Sequence, residues 1–311
     1  MVRTCVVQTL FAYYQDPGKT PLTAKKELLN SYSSIYSLYM LLLDFVNELT
    51  MYASTQLEEA SSRARVTHQD WQANRRFVDN RLSANVFENR ELRHYMQERH
   101  LNWDAGMNAV AAVYKELKNT QFYKDYMQAE TNRYIDDRRL WKKIYTLLLP
   151  GNEALESALE EMEVVLDASH WTTEMDVVLS YVLKTLKQLP PEPDADAKLL
   201  PMFDSEQELQ FGTDLLDYAL THHTEYGEQI AAHLRNWEAE RVAYMDRIIL
   251  ETALAEILNF PDIALEVSLN EYLEIAKEYS GEKSHLFING ILDEILKNMK
   301  EDNKLIKNIR Q

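Results

Sequence analysis

Cysteine, glycine and proline are scarce in this chain, and each scarcity removes a class of structure. One cysteine, Cys5, in 311 residues excludes an internal disulfide framework and a zinc site built from several thiolates. Its place on an apolar helix face suits core packing rather than catalysis. The 7 glycines and 8 prolines leave long Leu/Ala/Glu/Lys/Tyr stretches unbroken, the composition of an all-α protein. Gly18-Lys19-Thr20 has the ending of a phosphate-binding loop, but Tyr13 stands where the earlier glycine belongs. A Gly-rich cofactor loop and a Gly-x-Ser-x-Gly nucleophile elbow are also missing. The apolar run from Leu38 to Val46 holds Asp44 and is too short to span a bilayer. Arg3, Thr4 and Gln8 interrupt the first apolar residues, so no secretory signal is read and a cytoplasmic chain is expected.

Positive charge is the other shortage. The chain has 33 Lys and Arg against 50 Asp and Glu, a net charge of −17. Phosphate binding runs on Lys and Arg, so this chain is not expected to grip nucleic acid unaided. It suits a basic partner, although acidity also serves solubility alone. With 46% hydrophobic residues it can bury a real core, and its length allows one large domain or two modest ones.

What is present is helical periodicity. Met1 to Gln15 carries Val6, Val7, Leu10, Phe11 and Tyr14 on one face, and Asp16-Pro17-Gly18 turns the chain. A second helical region runs from Leu22 to about Ala60, with Leu28, Leu29, Tyr32, Tyr36, Tyr39, Leu43 and Val46 inward. The Pro- and Asp-rich stretch Leu189 to Asp204 reads as a linker. After it, Phe211, Leu215, Leu216, Ala219, Leu220 and Tyr226 mark the buried side of one further helix, and Trp237 with Glu240-Arg241 leads on.

Tyr244 to Leu296 predicts three packed amphipathic helices. The first holds Ile248, Ile249, Ile257 and Leu258 and stops before Pro261. The second opens at Ser268, with Glu271 completing a capping box, and ends at Gly281 as a left-handed residue. The third starts near Ser284 with Phe287, Ile288, Ile291, Leu292, Ile295 and Met299 as its stripe. Gly290 inside it predicts close approach of a neighbouring helix.

Metal chemistry is weakly signalled. Glu91-x-x-His94 and Glu282-x-x-His285 have the spacing of di-iron bundles but lack further inward carboxylates, and His222-His223 point in different directions. No metal, no cofactor and no enzymatic activity are expected.

Between Glu59 and Pro201 the charge pattern changes. Arg63, Arg65, Arg75, Arg76, Arg81, Arg90, Arg93 and Arg99 outnumber Asp70, Asp79, Glu88, Glu91 and Glu98, with Trp71, Phe77 and Tyr95 interleaved. A second basic knot follows at Arg133, Arg138, Arg139, Lys142 and Lys143, and an acidic run spans Glu153 to Asp167. Arginine with aromatics suits single-stranded RNA. A solvated face with internal ion pairs produces the same pattern more often.

The words "DRIILETALAEIL", "SLNEYLEIAKEYSGEKSH" and "FINGILDEIL", in this order and spacing, resemble the C-terminal half of the NusB transcription antitermination family. "RTCVVQTLFAYYQ" resembles its opening helix, and the segment from Asp204 to Leu234 its third. The resemblance covers roughly 1–50 and 204–298. It implies an all-α, NusB-like bundle of two packed subdomains with an inserted helical region. The expected organisation is NusB-like helices over 1–58, the insert and linker over 59–203, the third helix and C-terminal subdomain over 204–300, and a charged tail over 301–311.

By resemblance, the function would be binding of boxA-type RNA with a small basic ribosomal protein (NusE), promoting antitermination in ribosomal RNA synthesis with the transcription elongation complex. No membrane partner is implied. The RNA side would use Arg3, Gln8, Lys283, Ser284 and Phe287, with Arg75 and Arg76 as an extension on the insert, and Glu256 would face the protein partner. Only Met1 and Val2 precede Arg3 where the family usually has an arginine run, so either the basic arm is missing or the sequence starts late, and Lys283 stands where the family commonly has an acid. The methyltransferases that carry a NusB-like domain need a Gly-rich cofactor fold and a reactive cysteine, which do not fit here. The alternative is a protein-interaction module in transcription or ribosome assembly that has lost RNA contact.

Overall fold

The computed structural model describes residues 1–67, 74–131, 133–166, 168–169, 171–203, 205–234, 243–281 and 283–301, with 63–67 as backbone alone. Asp70, Trp71, Asp167, Asp204, Trp237, Glu240, Arg241, Glu282 and the tail from 302 therefore lie outside the described residues, as do the side chains of Arg63 and Arg65. Among the described residues every regular element is a helix. None of these helices is long and apolar enough to cross a membrane.

The chain forms two compact units, Met1–Tyr32 with Phe203–Gln311, and Ser33–Met202. The first contains α1 (Val2–Gln15), the opening turns of α2 (Pro21–Thr67), α10 (Glu206–Thr221), α11 (His223–His233), α12 (Tyr244–Asn259), α13 (Leu265–Tyr279) and α14 (Ser284–Glu301). Helix α12 is its axis and packs against α1, α10, α11, α13 and α14. Every residue from Ile248 to Ile257 is buried. The sequence reading of α12 as amphipathic is thus corrected: a helix apolar nearly all round belongs inside a shell of other helices. Burying each such Leu or Ile contributes about 1.5–3 kcal/mol.

Other details differ from expectation. Helix α13 starts at Leu265, so Ser268 lies inside it, fully buried, and is no cap. It ends at an extended Ser280, and the positive-φ glycine among the described residues is Gly151, not Gly281. The helix expected from 204 to 234 breaks at His222 into α10 and α11. Helix α14 opens at Ser284, and Ile288, Ile291, Leu292, Ile295 and Met299 are buried, while Phe287 is half-buried.

Gly290 is exposed, and a β-carbon there would meet nothing within 4 Å, so no neighbouring helix among the described residues explains it. Close approach occurs at Gly212 instead. A β-carbon there would lie 2.1 Å from Tyr32 Oη and 2.7 Å from Val2, so only glycine lets α10 seat against α1 and the start of α2.

The second unit contains the rest of α2 with α3 (Arg81–Glu88), α4 (Arg90–Glu98), α5 (Met107–Asn119), α6 (Gln121–Gln128), α7 (Tyr134–Lys143), α8 (Glu153–Val165) and α9 (Trp171–Gln188). A π-helical turn, Ile144–Leu148, extends α7. Helix α2 continues to Thr67 without a break near Ala60, and the units divide at Tyr32 rather than after residue 58. Its stretch through Leu38, Tyr39, Met40, Leu41, Leu42, Leu43, Phe45 and Val46 is buried on all sides. Aromatic side chains hydrogen-bond its carbonyls: Trp171 Nε1 to Ser34 (2.9 Å), Trp103 Nε1 to Leu41 (3.2 Å) and Tyr145 Oη to Leu42 (2.5 Å). The short surrounding helices are capped by Asn80, Asn89, Thr120 and Asn152, each accepting from a backbone N–H three residues on, at about 1 kcal/mol per cap.

The segment read as a linker is a packed strap on this unit. Asn85 Nδ2 donates to Pro190 O and Asn89 Nδ2 to Ala197 O, both at 2.7 Å, and Arg90 N donates to Ala195 O at 2.8 Å. Fixed carbonyls of this kind replace the solvation a free linker would need.

Candidate functional site

Helix α12 carries three buried acids, Asp246, Glu251 and Glu256. A buried carboxylate is tolerated only when its oxygens are bonded, and each of these is. Glu256 accepts two bonds from Arg3, Nε at 2.7 Å and Nη2 at 3.0 Å, one from Ser268 Oγ at 2.7 Å and one from Tyr272 Oη at 2.9 Å. Arg3 also stacks over Phe211, 5.0 Å from its ring centre, and reaches Glu271 at 3.6 Å. Burial opposes the Arg3 charge, and the bonds and charge of Glu256 outweigh it, leaving its pKa raised. Burial, then Glu256, pushes the Tyr272 hydroxyl well above its usual range.

Glu251 accepts from Tyr14 Oη, and His223 Nδ1 lies 2.9 Å from both its oxygens. Burial raises its pKa, and the bonds from Tyr14 and His223 pull the other way. Asp246 accepts from Ser280 Oγ at 2.5 Å and Ser284 Oγ at 3.1 Å, fastening α12 to the α13–α14 connection.

These bonds decide several expected roles. Glu256 is 0% exposed with its acceptor sites used, so it offers a partner protein nothing and holds α1, α12 and α13 together. Arg3 is brought to Glu256 rather than to the surface for phosphate. Ser284 is buried against Asp246. Lys283 is exposed, while Gln8 and Phe287 are half-buried; the Gln8 Oε1 is buried without a hydrogen bond.

On the second unit, Arg75 is exposed and held bidentately by Asp79. Arg76 donates to the carbonyls of Ala129 (2.7 Å) and Thr131 (2.6 Å) and lies 4.5 Å over the Tyr126 ring. It caps the end of α6. Among the described residues the aromatics near these arginines form no stacking platform: Phe77 is buried, and Tyr95 bonds Ser37 and packs on Tyr36.

Helices α13 and α14 of the first unit carry exposed faces. Lys283, just before α14, is exposed, and α14 itself presents Leu286 (64% exposed) and the open Gly290. Helix α13 presents Glu266, Glu271, Glu274 and Glu278 beside exposed Val267. Sequence reasoning missed the Tyr14–His223–Glu251 and Ser268–Tyr272–Glu256 groups. Their signal was an acid every fifth residue on a helix otherwise apolar all round. Among the described residues no group of three or more His, Cys, Asp or Glu is placed to hold a metal ion. His94 pairs with Glu98 on an exposed face.

Fold and site together define an all-helical protein whose buried acids hold its helices together. The pattern described as the NusB family matches residues 176–297. The chain is 37% identical over 101 residues to the transcription antitermination protein NusB of Halalkalibacterium halodurans, covering 32% of this chain and 75% of that protein. It is 35% identical over 108 residues to that of Salinibacter ruber, 35% of this chain and 68% of the relative. With that of Bacillus velezensis it shares 38% over 92 residues, 30% and 71% of the two chains. No solved structure matches the chain. The chain belongs to the NusB family.

Proposed function

We propose that this chain is a transcription antitermination factor that binds boxA-type RNA together with a small basic ribosomal protein (NusE), within the elongation complex that makes ribosomal RNA. The observation that carries the reading is the NusB match across α12, α13 and α14. The outer row of α13 supports the protein side: its exposed carboxylates beside Val267 suit a basic partner with some apolar surface. This row replaces Glu256 as the docking surface. The RNA side rests on Lys283 and Phe287 at the start of α14 and on Gln8 of α1. Arg3 and Ser284 support it from within, by holding α1 and the start of α14 against α12. The function is one of binding, with no catalytic step.

The net charge of −17 makes the chain alone a weak RNA ligand, because the slope of affinity against salt tracks phosphates neutralised. Fluorescence anisotropy with a boxA oligonucleotide should give weak binding and a shallow slope for the chain alone. Adding the basic partner should give tight, sequence-specific binding with a steeper slope. Tight boxA binding by the isolated chain, or none with the partner, overturns the reading. A protein-interaction module without RNA contact is favoured by one observation, the internal pairing of Arg3. It predicts that partner binding survives while boxA recognition is absent.

A further inference from the structure

A strongly cationic hollow on the second unit lies between α7 and α9. It encloses about 350 Å³ and is lined by Arg138, Arg139 and Lys142 from α7 and by Lys184 and Lys187 from α9. Ile135, Leu183 and Leu186 contribute its apolar surface. No carboxylate lines it, in a chain with 50 Asp and Glu. The positions Ile135, Arg138, Arg139 and Lys142 follow i, i+3, i+4, i+7, as do Ser180, Leu183, Lys184 and Lys187, so each helix turns one whole face to the groove.

On α7, Asp136 is held by Arg133 at 3.0 Å and Arg139 at 3.6 Å. Asp137, one residue on, is buried and accepts from Tyr126 Oη and Arg81 N. Arg138 lies over Tyr134 and Lys184 over Tyr181, contacts that orient the cations without neutralising them. Lys142, Lys184 and Lys187 have no ion-pair partner among the described residues. Two rows of like charge facing each other are mutually repulsive, and an anionic occupant relieves that repulsion.

We propose that this groove holds the backbone of single-stranded RNA, with phosphates between the two basic rows and base faces against the apolar residues. The choice of RNA rests on the RNA-binding reading above. Its chemistry also favours it: guanidinium groups grip phosphate oxygens in pairs, and a cationic track with apolar contact suits a strand of any sequence. The groove therefore adds affinity without adding sequence preference, and lies outside the segment matched to the family as far as α7 is concerned.

The test uses the full chain, a 20-nucleotide uridine strand and the variant Lys142→Gln/Lys184→Gln/Lys187→Gln. All three lysines are exposed, so circular dichroism should show an unchanged melt. At low salt the wild type should hold the uridine strand about tenfold more tightly than the variant. The salt slope should fall by about 2 in the variant, three single-strand phosphate contacts at roughly 0.7 each. Equal affinity and slope in the two proteins overturn the proposal. So does lysine-dependent binding of an oligoglutamate peptide with no uridine binding, which would make the occupant an acidic protein. A boxA oligonucleotide with the basic partner is the separate control. Loss of boxA binding in the wild type sinks the functional reading, while the uridine comparison still decides the groove.

Discussion

Each unit of this chain is built round one helix buried on all sides, and the two helices solve the problem differently. Helix α12 takes acids into the first unit and hydrogen-bonds them with side chains from α1, α11, α13 and the α13–α14 connection. The central stretch of α2 is mostly apolar; Trp103, Tyr145 and Trp171 donate to its carbonyls, and its acids Asp44 and Glu48 are only partly buried. The first design is specific but brittle, because removing one partner leaves a buried charge. The second is forgiving, since a helix carbonyl that loses an aromatic donor keeps its intrahelical bond.

The largest test of this difference removes the Arg3 side. Arg3→Ala strands Glu256, 0% exposed, and should cost about 3–5 kcal/mol in urea unfolding. Arg3→Met with Glu256→Leu should recover much of the loss, and a double variant as unstable as the single would mean that packing, not charge, dominates. In the second unit Tyr145→Phe, which removes the donor to Leu42 O, should cost only about 1 kcal/mol. A loss matching that of Arg3→Ala would erase the contrast.

The paired arginines sharpen it further. Arg76→Met should cost about 1–2 kcal/mol through the uncapped carbonyls of Ala129 and Thr131, whereas Arg75→Met should stay within about 0.5 kcal/mol. Comparable melts would show that the cap is idle. A double charge reversal at these sites is therefore a poor probe of RNA binding, because Arg76 belongs to the fold.

Gly290→Ala tests the surface of α14. With open space around it, helix propensity alone predicts a gain of about 1 kcal/mol. Weaker partner-assisted RNA binding despite that gain would identify the glycine as a point of close approach by a ligand. Unchanged binding would leave it without a function.

A further expected effect is pH-dependent and belongs to α2. Burial, followed by the charges of Asp44 and Asp104, raises Glu48 from 4.5 to about 7. A raised carboxyl contributes stability that is full below its unfolded value and is lost as pH rises through the folded one. The wild type should therefore lose stability between about pH 5 and pH 8, and Glu48→Gln should flatten that slope. Its thermal midpoint at pH 8 should exceed that of the wild type by up to about 3 °C. Parallel pH profiles would place Glu48 in contact with water.

Much of the first unit was legible from short words of sequence. Pro261 stops α12, Ser284 opens α14, and the stripe Ile288, Ile291, Leu292, Ile295 was read correctly from its period. The start of α13 was misread because Ser268 and Glu271 have capping-box spacing, yet Ser268 is drawn inward by Glu256. The strap over 189–202 was misread because Pro and Asp look alike in a linker and in a segment whose carbonyls are bonded by asparagines. Half of the basic groove was visible at Arg138, Arg139 and Lys142. Lys184 and Lys187 were overlooked because they sit 42 to 49 positions further along and meet the others only across a packed helix pair.

Sequence alone determined the helical class, the family and the periodic apolar faces, because these depend on neighbours three or four residues apart. Tertiary structure alone decided the direction of the charges. Arg3 and Glu256 lie 253 positions apart in the chain, and nothing local distinguishes an acid facing water from one facing an arginine on another helix. Burial and bonding are set by what folds against a residue, so the charges that looked most like a binding site are those that hold the first unit together.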